Sequence, residues 1–388
     1  MIYELIGQET IAKRFSGLIS SGRIGSAYLF SGADGSGKTA MALNLAAALL
    51  CQDPQNGEAC GKCASCQKMI TMNHSDLHFI HAMPKAKTAS ATDPFVGLKE
   101  EDYQIIREER VKLSQDPYSG INIPGAKHIL ISQMRHIKKE LSMKPSEGGR
   151  QVVLILEAQM ANEQAFNSLL KVLEEPPPKT TFILTTSSLE LLLPTIRSRC
   201  QNVKFNPVPD LILVEYLGLQ GLDDSNAQRV ARLSGGNVRQ AKLLMKADFS
   251  KVDTTILDFW RIMMAGNING RSTSLADVAK LIEDYTKMAK EDPTAFTNLL
   301  RFMIFWLRDA QLLEASGNAD QIINSHLIKE MSAFVEYYPT FPYYETIRKT
   351  ENIIRDVKLN MYVPALLAEL FLEMRYQLRK NKKAKNAT

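Results

Sequence analysis

The sequence predicts a doubly wound α/β domain that gives way, a little past its middle, to an all-α region. Three observations carry this reading. Short apolar runs alternate with amphipathic stretches over residues 1–207, and strands alternating with helices imply a parallel sheet covered by helices. A glycine-rich turn joins one of these runs to a helical pattern. After Pro207 and Pro209 the strand signals stop.

Taken in order, residues 27–31 read as a buried strand that runs into the glycine loop, and residues 38–50 as the helix leaving it. Residues 76–80, 151–156 and 181–185 read as three further strands. Between the last two lies a helix over 162–175, stopped by Pro176, Pro177 and Pro178, which cannot continue a helical hydrogen-bond ladder. Residues from about 84 to 127 break the alternation. They are polar, carry Pro and Gly at both ends, and predict a mobile, irregular insertion. Helical periodicity resumes at Ile131, with Ile131, Met134, Ile137 and Leu141 on one face. Residues 208–248 read as a small helical unit and 249–378 as helical throughout.

At 388 residues, two to four domains are expected at roughly 100–200 residues each. Hydrophobic residues make up 45% and charged residues 23%, ordinary values for a globular protein. No run approaches the roughly 20 apolar residues of a membrane helix. The start, MIYELIGQET, has no basic-then-apolar leader, so a cytoplasmic location is expected. The net charge of +5 rests on the C-terminal end. There Arg375, Arg379, Lys380, Lys382, Lys383 and Lys385 occur with no acid, and the body is near neutral. Such an end reads as a solvated, frayed tail or as a phosphate-touching one.

Gly32-Ala-Asp-Gly35-Ser-Gly37-Lys38-Thr39 matches the P-loop pattern, with a strand before it and a helix after it. Its backbone N–H groups would turn around phosphates, Lys38 would reach the β- and γ-phosphates, and the Thr39 hydroxyl would bind Mg²⁺. The third strand ends Leu154-Ile155-Leu156-Glu157. Glu157 could activate water, but Leu156 stands where an aspartate would help hold the metal. Either hydrolysis is impaired, or Leu156 is a core residue and another group orders the metal. Of five cysteines, Cys51, Cys60, Cys63 and Cys66 cluster in one stretch. Four thiolates at this spacing suit a closed, structural Zn²⁺ site, with His74 a less economical substitute ligand. Arg239 follows Ser234-Gly235-Gly236-Asn237 at the start of a helix and either stays on its surface or reaches a γ-phosphate. Arg135, Lys138 and Lys139 lie opposite the Ile131 stripe, as a ridge for a phosphate backbone or as a plain solvated face.

This order of motifs resembles the bacterial DNA polymerase III clamp-loader subunits. The resemblance rests on Ile6-Gly7-Gln8-Glu9, Gly22-Arg23, residues 27–32, the P-loop and the four cysteines after its helix. Residues 167–177 (NSLLKVLEEPP) and Ser198-Arg199-Cys200 complete it, so that it covers about residues 1–245. It implies a RecA-like AAA+ P-loop domain over 1–207 with a zinc module at 51–66. A helical lid over 208–248, an α-helical collar for oligomerisation over 249–378 and a basic tail over 379–388 would follow. It further implies that Arg199 is an arginine finger offered in trans, that Ser187, beside Thr186, is the first sensor and Arg239 the second, and that Arg135 tracks template phosphates. Leu156 makes the chain look like the delta-prime type, although the intact Lys38-Thr39 keeps ATP and Mg²⁺ binding open. The implied partners are gamma/tau and delta subunits, the sliding clamp and primed DNA. Two other functions compete with this one: a gamma-like ATPase motor, marked by steady ATP turnover, and a stand-alone DNA-binding module, marked by tight, salt-dependent binding.

Overall fold

The computed structural model describes residues 1–86, 90, 92–147, 149–264, 267–268, 271–317, 322–358 and 361–380. The chain falls into two compact units. The first comprises Met1–Tyr216 with Gly235–Gln240, the second Leu217–Ser234 with Ala241–Thr388.

The first unit is built on a five-stranded parallel sheet of β1 (Ala27–Ser31), β2 (Leu77–Ile80), β3 (Gln151–Ile155), β4 (Thr180–Thr186) and β5 (Gln201–Lys204), in the order β2-β3-β4-β1-β5. β5 was not expected. Only one of its four residues, Val203, is buried, so this edge strand has no apolar run to announce it. β1, β3 and β4 are buried at every position and centre on apolar runs, as strands covered on both faces must be, whereas the edge strand β2 is half-buried at its middle.

Alternation along the strands divides the core in two. Tyr28 and Phe30 of β1 and Val152 and Leu154 of β3 face one way, with Leu156. There they pack on α1 (Glu9–Ser20) and on α2 (Lys38–Leu50), whose residues are almost all buried. Leu29, Val153, Ile155, Phe182 and Leu184 face the other way, against α5 (Ile131–Glu140) and α6 (Glu163–Glu174). Met134, Ile137 and Leu141 are buried there as the stripe predicted. α6 starts where the Asn162 side chain accepts the Ala165 N–H at 2.9 Å, and the three prolines follow its end.

The expectation for residues 84–127 needs correction. They contain α4 (Glu100–Gln115), whose Leu113 is fully buried in the core that also holds Leu156. Within the insertion, residues 87–89 and 91 lie outside the described residues. Two short helices complete this unit, α3 (Ala64–Ile70) after the cysteines and α7 (Pro194–Arg197) before Arg199.

Three helices, α8 (Asp210–Leu219), α9 (Asp224–Ser234) and α10 (Val238–Leu244), follow the sheet. The second unit then continues with α11 (Phe249–Met263), α12 (Leu275–Glu291), α13 (Pro293–Ser316), α14 (Ile328–Tyr337), α15 (Tyr343–Lys358) and α16 (Val363–Lys380). A two-residue-per-strand hairpin, β6 (Asn267–Ile268) and β7 (Arg271–Ser272), interrupts the expected all-helical stretch. The core centres on Trp260 and Trp306, stacked at 4.6 Å, with Phe334 edge-on to both. Arg375 does not belong to a frayed tail: it is buried, and its guanidinium donates to Ser274 O and Thr273 O at 2.9 Å. Residues 381–388, with Lys382, Lys383 and Lys385, lie outside the described residues. No described helix is long and apolar enough to cross a membrane.

Candidate nucleotide and metal sites

β1 feeds the glycine loop and α2 leaves it. Gly35 and Gly37 sit at φ 68° and 94°, left-handed values that glycine reaches without steric cost. A Cβ on Gly35 would also lie 1.8 Å from Asn237 Oδ1. Lys38 is buried, and its Nζ donates to Gly32 O at 2.8 Å and Ala33 O at 2.7 Å. Burial lowers its pKa from the ordinary lysine value, while Glu157 and Asp34 act to raise it. The loop opens on a cavity of about 430 Å³, of which Asp34, Thr39, Leu156, Glu157, Ser187 and Arg239 are part of the lining. Sequence positions up to 205 residues apart thus meet at one place. The N terminus of α2 points its partial positive charge at the same space, which suits a phosphate.

Glu157 follows β3 in a left-handed conformation, φ 47° and ψ 59°, a backbone position that costs a non-glycine residue energy and is held only by its surroundings. Its N–H donates to Thr185 Oγ1 at 3.0 Å. Its carboxylate accepts from Gln159 Nε2 at 2.5 Å and from Ser187 Oγ at 3.0 Å. Gln159 in turn accepts from Thr186 Oγ1 at 2.7 Å. Gln159 and Thr185 were missed in the sequence, where nothing marks a lone Gln or a strand Thr as supports for an acid. Arg239 is not a free surface residue: Nη1 pairs with Asp34 at 2.8 Å and Nε donates to Tyr118 O at 2.6 Å.

The four cysteines come together. Cys51 caps the C terminus of α2 and Cys63 the N terminus of α3. Their sulfurs all lie within 4.8 Å of one another, and three separations are 3.5, 3.9 and 3.9 Å. A tetrahedron with Zn–S of about 2.3 Å has edges of about 3.8 Å, so the donor set could hold a metal such as Zn²⁺. His74 is not part of it. Its Nδ1 accepts the Asp76 N–H at 3.1 Å, which leaves Nε2–H to donate to Ser65 Oγ at 2.8 Å. The fifth cysteine, Cys200, is buried in the core, where burial pushes its thiol up to about 11.

Arg199 is not among the residues lining the P-loop cavity. It lies after α7, with Nη1 donating to Thr195 O at 2.9 Å and Nη2 paired with Glu174. Arg135, Lys138 and Lys139 are exposed on α5, opposite its buried stripe.

Residues 7–209, just over half of the chain, match the family described as DNA polymerase III, delta subunit. The chain belongs to that family of clamp-loader subunits. Its curated relatives include the tau subunit of Bacillus subtilis, 25% identical over 89% of this chain and 56% of the relative. The delta-prime subunit of Escherichia coli is 30% identical over 60% of this chain and 59% of the relative. The chain thus spans little more than half the length of either. A solved gamma-subunit-related protein of Thermotoga maritima aligns over 96% of this chain and 100% of its own, at 19% identity and a TM-score of 0.40. In this family member the P-loop, the cysteine cluster and the end of β3 stand in one parallel α/β unit, with Leu156 turned into its core.

Proposed function

We propose that the chain is the delta-prime subunit of a DNA polymerase III clamp loader, that it helps to load the sliding clamp onto primed DNA, and that it works in the cytoplasm. In this reading Arg199 is offered in trans to an ATP site on a neighbouring gamma/tau subunit. The 249–378 region is the oligomerising collar, and Arg135, Lys138 and Lys139 face template phosphates. Lys38 and Thr39, with Ser187 and Arg239 as sensors, bind ATP and Mg²⁺, and Cys51, Cys60, Cys63 and Cys66 hold a structural Zn²⁺.

Leu156 carries the reading. Its side chain is buried in the core on the α2 side of the sheet, and Asp34, the other acid of the cavity, is paired with Arg239. Glu157 is therefore left to act without an adjacent carboxylate to hold Mg²⁺. A site of this kind binds nucleotide and turns it over poorly, so the chain serves its neighbour's chemistry more than its own.

The test compares two variants in the reconstituted complex. An arginine supplied in trans is worth ~10³–10⁵ in rate in GTPases, and the loss is smaller where one site of several is affected. Arg199→Ala should fold and assemble, yet lower DNA-stimulated ATPase and clamp loading, whereas Lys38→Ala in this chain should matter much less. Wild-type loading by Arg199→Ala would return that residue to a surface charge. The likeness to tau along most of the chain supports a second reading, a gamma-like ATPase motor. Brisk ATP turnover by the isolated chain, abolished in Glu157→Gln, would select it.

A further inference from the structure

Residues 84–127 interrupt the strand–helix alternation, and their far end returns to the mouth of the P-loop cavity. Leu113 anchors that end in the core. A turn follows, in which the Tyr118 N–H donates to Asp116 Oδ1 at 3.1 Å. Tyr118 is 3% exposed. Its hydroxyl accepts the Ile6 N–H at 2.9 Å and lies 3.4 Å from where a Cβ on Gly37 would stand. Its carbonyl accepts Arg239 Nε at 2.6 Å. Two residues on, Gly120 has φ 72°, and a Cβ there would lie 2.6 Å from Arg239 Nη2. Gly120, Ile121, Asn122, Ile123 and Ala126 then line the cavity itself. Arg239 is thus committed twice, to a carbonyl of the insertion and to the Asp34 carboxylate of the P-loop. An incoming phosphate meets Asp34 as a like charge and finds Arg239 already oriented by a carboxylate and a carbonyl, with only its remaining N–H donors to offer.

We propose that residues 116–126 are a strap that gates the P-loop cavity in cis. Through the Tyr118 carbonyl it holds Arg239 against the P-loop, and a nucleoside triphosphate enters by displacing them. The inference rests on the reading that this P-loop binds a nucleoside triphosphate.

The test uses the full chain and a fluorescent ATP analogue with Mg²⁺. Tyr118→Phe keeps the ring and loses the bond to Ile6, and Asp34→Asn removes the charge that holds Arg239. Both should speed association and tighten binding, by several-fold and roughly ten-fold respectively, on the scale of one hydrogen bond and one charge-assisted bond. Hydrogen exchange at residues 116–126 should quicken when the analogue binds. If wild type binds and Lys38→Ala weakens it, while Tyr118→Phe binds no faster and exchange at 116–126 slows, the segment is a fixed wall and the gate is wrong. If neither wild type nor either variant binds at millimolar analogue, the nucleotide reading falls and the gate with it.

Discussion

His81, at the end of β2, is 2% exposed, and its Nδ1–H donates to Ala82 O at 2.8 Å. Its Nε2 is therefore the acceptor for Arg110 Nε–H at 3.2 Å. Burial, then the Arg110 charge, hold its pKa at about 3. The unfolded chain, near 6.5, takes up a proton first. The stability His81 contributes is complete above pH 6.5 and is lost as pH falls towards 3. Between pH 7 and 5 this one residue should cost about 2 kcal/mol, and His74 and His78, also lowered by burial, steepen the same slope. Urea unfolding at both pH values should show a flatter dependence in His81→Gln, which keeps an acceptor for Arg110 without titrating. Parallel slopes would count against it. At the cysteine cluster, burial acts to raise the Cys63 thiol, but N–H groups of Cys66 and Gln52 and the neighbouring thiols bring it down to about 6, which favours the thiolate a metal needs. Protein purified without chelator should carry about one zinc per chain, and Cys63→Ser should lose both zinc and thermal stability. Zinc-free wild type would end that assignment.

Elements differed in how plainly they announced themselves. β1, β3 and β4 are runs buried at every position, and such runs need no partner to be recognised. β5 has one buried residue in four, and α4 is largely charged, with only Ile106 and Leu113 buried. Its start is set by Asp102 accepting the Lys99 N–H at 3.2 Å, a local signal easily lost in a polar segment. If α4 is an integral element, Leu113→Ala should lower stability by ~2–5 kcal/mol. A change under about 0.5 kcal/mol would restore the mobile-loop expectation.

At the scale of the molecule, the two units rest on different kinds of core. The first layers aliphatic side chains on both faces of a sheet, whereas the second gathers Trp260, Trp306, Phe334, Phe259 and Phe371 between helices. Trp306→Ala should cost ~3–5 kcal/mol and quench a tryptophan signal that arises in the second unit alone, since both tryptophans lie there. Zinc content, which belongs to the first unit, should stay at wild-type level. Loss of zinc in this variant would mean that the two cores do not stand independently.

Local chemistry by itself determined the parallel α/β class, the P-loop and the cysteine ligand set. Strand runs, glycine positions and Cys spacing act over a few residues and carry their physics wherever they occur. Only the tertiary structure decided that Glu157 is held by Gln159, Ser187 and Thr185, that Arg239 reaches across 205 positions to Asp34, and that Tyr118 of the insertion meets both Ile6 and Arg239. These contacts join residues far apart in the chain through ordinary side-chain and backbone groups. No periodicity or spacing encodes them, because they exist only once the sheet has brought the strand ends together.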